Sequence, residues 1–580
     1  MTRLLLIAAA GVDWPSLTGR IRAGHAPAMA ALAARGAVGL LRSSPPRQGP
    51  AAWATVATGR LPEAHRVLRP EEPWAAGLRP LSLASWRYPP VWAALQAAGT
   101  ATASVAWPGV RPGAALAGLH IDEDIANATG ADRSSWALPL HCAPPRARDA
   151  LRERRVHPRD ITAAMLAPLV PDLAQIDQGR DTGLPRLAAA MARAATVQAA
   201  AAWALEDGGA EAVFVHHAWL GEVRDAFDLA GRGPFDRVID GAWRFLDALV
   251  GRLCDLAGPQ AQVLLVSPGR RSNPGALLAA GPGIAPGSRL PPTDALDIAP
   301  SILAAFGLLD PAAPGRAIAA LGNPLEGLSP APAVESPSLT PPDPALLQAA
   351  LAAGYAPPAP VHESWRAEAL AELAAAVVER DPRTACGLAA QALLHQPEHP
   401  LALGVKAMGH VALEEAEPLA DLAETLMRVA PDRGWGALAH AVRHLLADLP
   451  DAASPWLRRA ELDRRPEMLL RVATIWIAAG RPGEAERLFK AVLKATPEDA
   501  GALIGLAVAA AARRDFIRAE AALREALRLD PGRPSVHLQL AQVYAATGRR
   551  EEARLAAEAA KALGAQDSLA AAAREGRLGA

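Results

Sequence analysis

Short apolar runs at 4–10, 37–42, 102–107, 212–217, 263–267 and 276–281 have the length and bounding turn residues of buried strands. Between them lie stretches of helical period, such as AMAALAARG, PVWAALQAAG and VIDGAWRFLDALVGRLCDLAG. Strands alternating with helices predict an α/β domain, a mostly parallel sheet between helices. Ligands of such sheets bind beyond the carboxyl ends of the strands. Asp13, Gly221–Asp225 and Ser267–Arg271 all fall at such ends.

The pattern changes twice further on. Residues 326–363 are dense in Pro and Ala and read as a tether, with one short helix at most. Beyond them the chain is helical, with a period of 34 residues by position: Ala473, Ala507 and Ala541 align, as do Ala485, Ala519 and Ala553. Gly480 aligns with Gly548, and Pro497 with Pro531; Pro397 and Pro431 carry the same spacing upstream. Small residues at fixed positions let paired helices approach closely, and Pro closes each unit. This resembles the tetratricopeptide repeat, an all-α solenoid of helix pairs. The expected organisation is 1–325 for the α/β domain, 326–363 for the linker and 364–580 for the repeats, with five or six units. Stacked repeats leave a concave face suited to a protein or peptide.

Within the first domain, SSPPRQGPAAWATVATGRLPEAHRV (43–67) reads as a loop entering a helix, with Thr55 and Thr58 the hydroxyls on its turn. Hydroxyls beside free amides at a helix N-terminus suit an anion. The strand LLLIAAAG running up to Asp13, the strand AVGLLRSS and then WATVATGRLPEAHRV come in the order of one known family. RYPPVWAALQAAGTATASVAWPG, VHPRDI and GALLAAGPGIAPGSRLPPTDALDIAPSILAAFGLL extend the agreement. Together they resemble the type I phosphodiesterase/nucleotide pyrophosphatase branch of the alkaline phosphatase superfamily. The resemblance implies an alkaline-phosphatase-like fold, Asp13 as a metal ligand, Thr55 as nucleophile and a pair of cations, usually zinc, that clamp the attacking and leaving oxygens.

The remaining ligand positions depart from that pattern. Gly221 stands where the family has Asp, and Asp225 where it has His; Pro268 and Gly269 replace a further Asp and His. Arg270, Arg271, Ser272 and Asn273 occupy the stretch of the last His. Pro and Gly offer no side-chain donor, and Asp13 with Asp225 falls short of the four donors a zinc ion wants. His216 and His217 lie nearby, but neighbours on a strand face opposite ways, so one at most faces the site. The Arg270–Arg271 pair is a candidate anion holder. His65 and His157 fit turn-capping better than metal binding.

Composition narrows the rest. A net charge of −1 gives no field for nucleic acid, and no run of 18 apolar residues spans a membrane. Cys142, Cys254 and Cys386 are too scattered for a disulfide framework or a cysteine zinc site. The apolar N-terminus is needed as the first strand rather than as a signal peptide, so a cytoplasmic location is expected. Arg146–Arg155 reads as a solvated helix face, and LHIDEDIANATG as a surface insertion with a solvated acidic triplet. Three readings follow: a degenerate phosphodiesterase-like domain on a protein-binding scaffold, without cofactor; an active metal-dependent phosphoric or sulfuric ester hydrolase using Thr55; or a regulatory subunit of an intact homologous enzyme.

Overall fold

The computed structural model describes residues 2–43, 49–74, 77–110, 118–127, 136, 145–176, 181–227, 234–270, 273–322, 326–332, 334, 361–378, 381–497, 499–530 and 533–563. Most of the expected linker, and the segment after 563, lie outside them. The chain divides into two compact units, Met1–Glu72 with Arg79–Tyr355 and Pro73–Leu78 with Ala356–Ala580.

The first unit is built on a nine-stranded sheet. Its strands are β1 (Leu4–Ala9), β2 (Ala37–Arg42), β5 (Thr102–Val105), β6 (Leu119–Ile121), β7 (Ala212–His217), β8 (Gln262–Arg270), β9 (Asn273–Ala280), β10 (Ser288–Arg289) and β11 (Thr293–Asp294). A separate two-stranded sheet pairs β3 (Glu71–Trp74) with β4 (Gly77–Pro80). The sheet order is β10-β2-β9-β8-β1-β7-β5-β6, with β11 also on β2. Only β9 runs against the others, paired antiparallel to β8 and β2. The carboxyl ends of β1, β2, β5, β7 and β8 therefore share one edge.

Helices cover both faces, so the strands are apolar throughout rather than alternating. All six residues of β1 are buried. Odd positions Leu5, Ile7, Val213 and Val215 join one core with the helices Gly183–Glu206 and Val238–Ala257. Even positions Leu4, Leu6, Ala212 and Phe214 join the other, with Gly49–Thr58 and Ile298–Ala305. Each large aliphatic side chain so buried contributes about 1.5–3 kcal/mol. A polar tie joins two helices on the first face: buried Asp247 accepts from the backbone N–H of Ala28 and Met29, at 2.9 and 2.8 Å. It caps a helix whose own N-cap, Ala26, has no side-chain oxygen.

Two sequence expectations are overturned here. The LHIDEDIA stretch is not a surface insertion: Leu119–Ile121 is strand β6, and Asp122 is fully buried, accepting from the Asp124 N–H at 2.9 Å. A three-residue strand is too short to show a period in sequence. Arg155 does not belong to a solvated face. It is buried, stacked 4.1 Å over Trp136 and donating to the Trp136 carbonyl at 2.8 Å.

The second unit is a run of helix pairs: Val361–Val377 with Pro382–His395, Pro400–Ala412 with Ala416–Val429, and Trp435–Leu446 with Pro450–Ala460. Then come Pro466–Ala478 with Pro482–Ala495, Ala500–Ala512 with Phe516–Leu529, and Pro534–Ala546 with Arg550–Ala562. All six aligned alanines are buried, at 0–1% exposure, which is the close approach that their size predicts. Pro opens many of these helices, where its missing N–H costs nothing.

The turn inside each of the last five pairs needs a residue with positive φ. Glu414, Asp448, Gly480, Arg514 and Gly548 fill it, with φ of 57°, 56°, 71°, 62° and 77°. Only two of them are glycine, which is why the sequence shows the repeat more weakly than the backbone does. Left-handed backbone costs a side-chain-bearing residue ~1–2 kcal/mol, partly offset by glycine's greater entropy when unfolded. Arg514→Gly is expected to raise the urea midpoint slightly, and Gly548→Ala to lower it by ~1 kcal/mol of stability. Ala507 is 1% exposed in a cluster with Ala519 and Leu523 of the following helix. Ala507→Trp is expected to cost ~1–3 kcal/mol by overpacking, read in the same denaturation experiment.

Candidate functional site

β1 ends against a turn at Gly11, and Asp13 then caps the helix Trp14–Arg22 by accepting the Ser16 N–H at 2.9 Å. Asp13 is completely buried. Its other oxygen lies 2.6 Å from Nη1 of Arg224, and the same Nη1 donates to the Gly11 carbonyl at 2.8 Å. Arg224 comes from the helix Trp219–Phe227, which begins two residues after β7 ends at His217.

That helix sits hard against the end of β1. Gly11 has φ +85°, and a Cβ there would stand 2.5 Å from the Gly221 nitrogen. Gly221, the position where the resembled family has a ligating Asp, is thus a backbone contact. The neighbouring residue of Arg224 makes the reverse pairing. Asp225 accepts from Nη2 of Arg270, at the end of β8, at 2.9 Å. Arg270 is buried and Asp225 largely exposed. β8 runs through Pro268 and Gly269; Gly269 has φ +102°, and a Cβ there would meet the Asn273 carbonyl at 2.5 Å. A histidine has no place at that position without moving the strand. Arg271 lies outside the described residues.

Thr55 is not at a helix entry, contrary to the sequence reading. The helix starts at Gly49, so Thr55 falls in its second half and Thr58 at its end. Small residues carry the helix on, and both hydroxyls bond back to the carbonyl four residues earlier, at 3.1 and 2.7 Å. Thr55 Oγ also lies 3.1 Å from His65 Nε2. The Val67 N–H donates to His65 Nδ1 at 3.0 Å, so the ring's proton is on Nε2 and points at the threonine oxygen. Burial holds the His65 pKa down to about 3, against a smaller opposing effect of the Ala51 carbonyl. His157 likewise accepts a backbone N–H, from Arg159 at 3.2 Å.

His216 and His217 divide between the two faces of the sheet as their adjacency requires. The His216 ring stands edge-on to Trp53, 4.8 Å away, and near Trp107. Burial lowers the pKa of His216 to about 3 and of His217 to about 4. Among the described residues, Nε2 of His216 and both nitrogens of His217 have no hydrogen-bond partner. Among the described residues no three His, Cys, Asp or Glu side chains gather as a metal cluster. Two carboxylates, each engaged by a guanidinium, do not fit a two-cation centre.

Sequence reasoning placed Asp13, Asp225 and Arg270 at the sheet edge, where they are, and its turn-capping reading of His65 and His157 holds, but it missed Arg224 and the contact of His65 with Thr55. The spacing of Arg224 beside Asp225 on one helix was the available signal, and it named no partner.

The fold is an α/β sheet domain followed by a helical repeat. Residues 4–268 match the family model "Type I phosphodiesterase / nucleotide pyrophosphatase", and 477–534 and 510–575 match two tetratricopeptide repeat models. The chain thus carries a type I phosphodiesterase/nucleotide pyrophosphatase domain followed by tetratricopeptide repeats. No curated protein matches it. Solved structures similar to part of it include the APC/C hetero-tetramer Cut9-Hcn1, at 16% identity, TM-score 0.31, covering 37% of this chain and 43% of that one. Another is the human IFIT1 dimer, at 17% and 0.30, covering 35% and 51%. A tetratricopeptide repeat protein from Parabacteroides merdae matches at 17% and 0.30, covering 40% and 90%. The chain spans about half or less of the first two.

His65, His216 and His217 set a pH dependence. In the fold each stays neutral down to about 3–4, whereas unfolded it takes a proton below about 6.5. Between those values the unfolded chain binds more protons, so stability falls as pH falls through that window. The limiting slope is ~1.4 kcal/mol per pH unit for each histidine. His217→Leu is expected to flatten the urea midpoint's dependence on pH by one proton's worth, with no loss at neutral pH, since it removes nitrogens that bond to nothing.

Proposed function

We propose that the N-terminal domain keeps the phosphodiesterase fold without the hydrolysis, and that the chain is a protein-binding scaffold or regulatory subunit working through the concave face of its repeats. The observation that carries this is the bonding of Thr55. A hydroxyl becomes a nucleophile when a metal or an adjacent base takes its proton. Here the proton is directed to the Ala51 carbonyl, and the imidazole of His65 offers Thr55 a proton instead of accepting one. Protonating His65 does not help, and deprotonating a neutral imidazole is out of range at any working pH.

The charge environment supports the same reading. Phosphoryl transfer depends on cations at the developing charge, and loss of even one oxyanion-hole hydrogen-bond donor in an acyl-transfer enzyme costs ~3–4 kcal/mol. Arg270, the candidate anion holder, has its guanidinium turned to Asp225. Among the described residues no helix is long and apolar enough to cross a membrane, and we place the protein in the cytoplasm. The partner is a protein or peptide, an intact homologous phosphodiesterase among the candidates, and neither nucleic acid nor cofactor is required.

The full chain, assayed on a chromogenic phosphodiester with zinc, manganese or magnesium, is expected to show no turnover that Thr55→Ala removes. Metal-dependent turnover lost in Thr55→Ala would return the protein to the hydrolases and overturn this reading.

A further inference from the structure

The two ion pairs at the sheet edge share one helix. Residues 224 and 225 are consecutive, and they bear opposite charges: Arg224 reaches to Asp13 behind β1, and Asp225 receives Arg270 from the end of β8. β1 lies between β7 and β8, so the helix Trp219–Phe227 is bonded to the strand beside its own and to the one beyond. We propose that the guanidinium groups of Arg224 and Arg270 are built-in replacements for the two cations this family implies. They hold the carboxylates of Asp13 and Asp225 and close the sheet edge to divalent metal. The proposal rests on the non-hydrolytic reading of the domain and deepens it.

Three observations converge on it. Asp13 has no exposure, so its charge needs a partner in the fold, and Arg224 supplies one at 2.6 Å while its side chain is itself only 13% exposed. A dication entering here would have to displace a guanidinium from its carboxylate. Two arginines and two aspartates also sum to zero, so the pairs set up no field that concentrates either a dication or a phosphate. Finally, the backbone has closed over the space: Gly11 and Gly221 approach too closely for any side chain on Gly11, and the conformation of Gly269 disfavours one there. The two pairs are unequal. Asp13 is fully buried and Arg224 13% exposed, so that pair dominates, whereas Asp225 is 63% exposed and its pair is weakened by solvent.

The test uses the full chain and reads thermal unfolding of its N-terminal transition together with calorimetric titration of zinc and of manganese. Wild type is expected to unfold at the same temperature with and without a chelator and to give no binding heat. A chelator-induced fall in Tm, or one tightly held ion per chain, overturns the proposal. Arg224→Ala is expected to lower Tm strongly, because it strands a buried carboxylate. Asp13→Asn combined with Arg224→Gln removes both charges and is expected to lie closer to wild type than Arg224→Ala does, the non-additivity that marks a coupled pair. If Arg224→Ala fails to fold, a folded double variant supports the proposal. A double variant at least as unstable as the single overturns it, as does an unchanged Tm in Arg224→Ala. Turnover on phosphodiesters that needs no metal would sink the non-hydrolytic reading alone; metal binding without turnover would sink this inference alone.

Discussion

A carboxylate with no exposure to water has to be neutralised or paired, and Asp13 sets that condition at the end of the first strand. The helix after β7 can be understood from it. That helix starts two residues past its strand, packs its first turn onto Gly11 and delivers Arg224 to the carboxylate in its second turn. Had the connection run as a loop bearing ligands, Gly221 would stand clear of β1 and a side chain there could point inward. The ion pair and the close backbone contact are one arrangement. The contact requires glycine at 11, where an added Cβ would stand 2.5 Å from the Gly221 nitrogen.

The repeats obey a backbone constraint of a different kind. Each of the last five helix pairs reverses through one residue in the left-handed region, and a tight reversal leaves little choice of conformation. Glycine meets it cheaply at Gly480 and Gly548, while Glu414, Asp448 and Arg514 meet it at a cost that the buried alanines of the neighbouring helices offset. The same alignment of small residues fixes how closely the helices stack. Stability along such an array is a sum of local units and their interfaces, so a strained turn is tolerated without loss of the fold.

What the sequence conveyed follows from the range of the forces involved. The six longer strands and the repeat period were legible because burial on both faces and close helix contact leave periodic, local marks. Strand β6 was not, since three residues carry no period and its partner β5 lies 14 residues earlier in the chain. At the site, Asp13 and Thr55 were legible from their place in a motif. Their state was not: the partner of Asp13 is 211 residues away, and that of Thr55 depends on which nitrogen of His65 carries the proton. Thr55 was also misplaced on its helix, because an Ala-rich run has no internal signal for where it begins.

On the non-hydrolytic reading proposed above, the two routes by which Thr55 could be activated are closed by unrelated means. In that proposal the cation route is closed electrostatically, because the carboxylates of Asp13 and Asp225 are paired with arginines from a helix and a strand end. The base route is closed by one backbone amide: the Val67 N–H takes the Nδ1 lone pair and thereby fixes the proton on Nε2. A histidine 3.1 Å from a threonine hydroxyl would by distance alone be read as a nucleophile and its base. Direction decides otherwise, because the imidazole is the donor, and burial keeps it neutral with no second proton state to exploit. Proximity identifies groups able to react; the polarity of the hydrogen bonds between them decides whether they do.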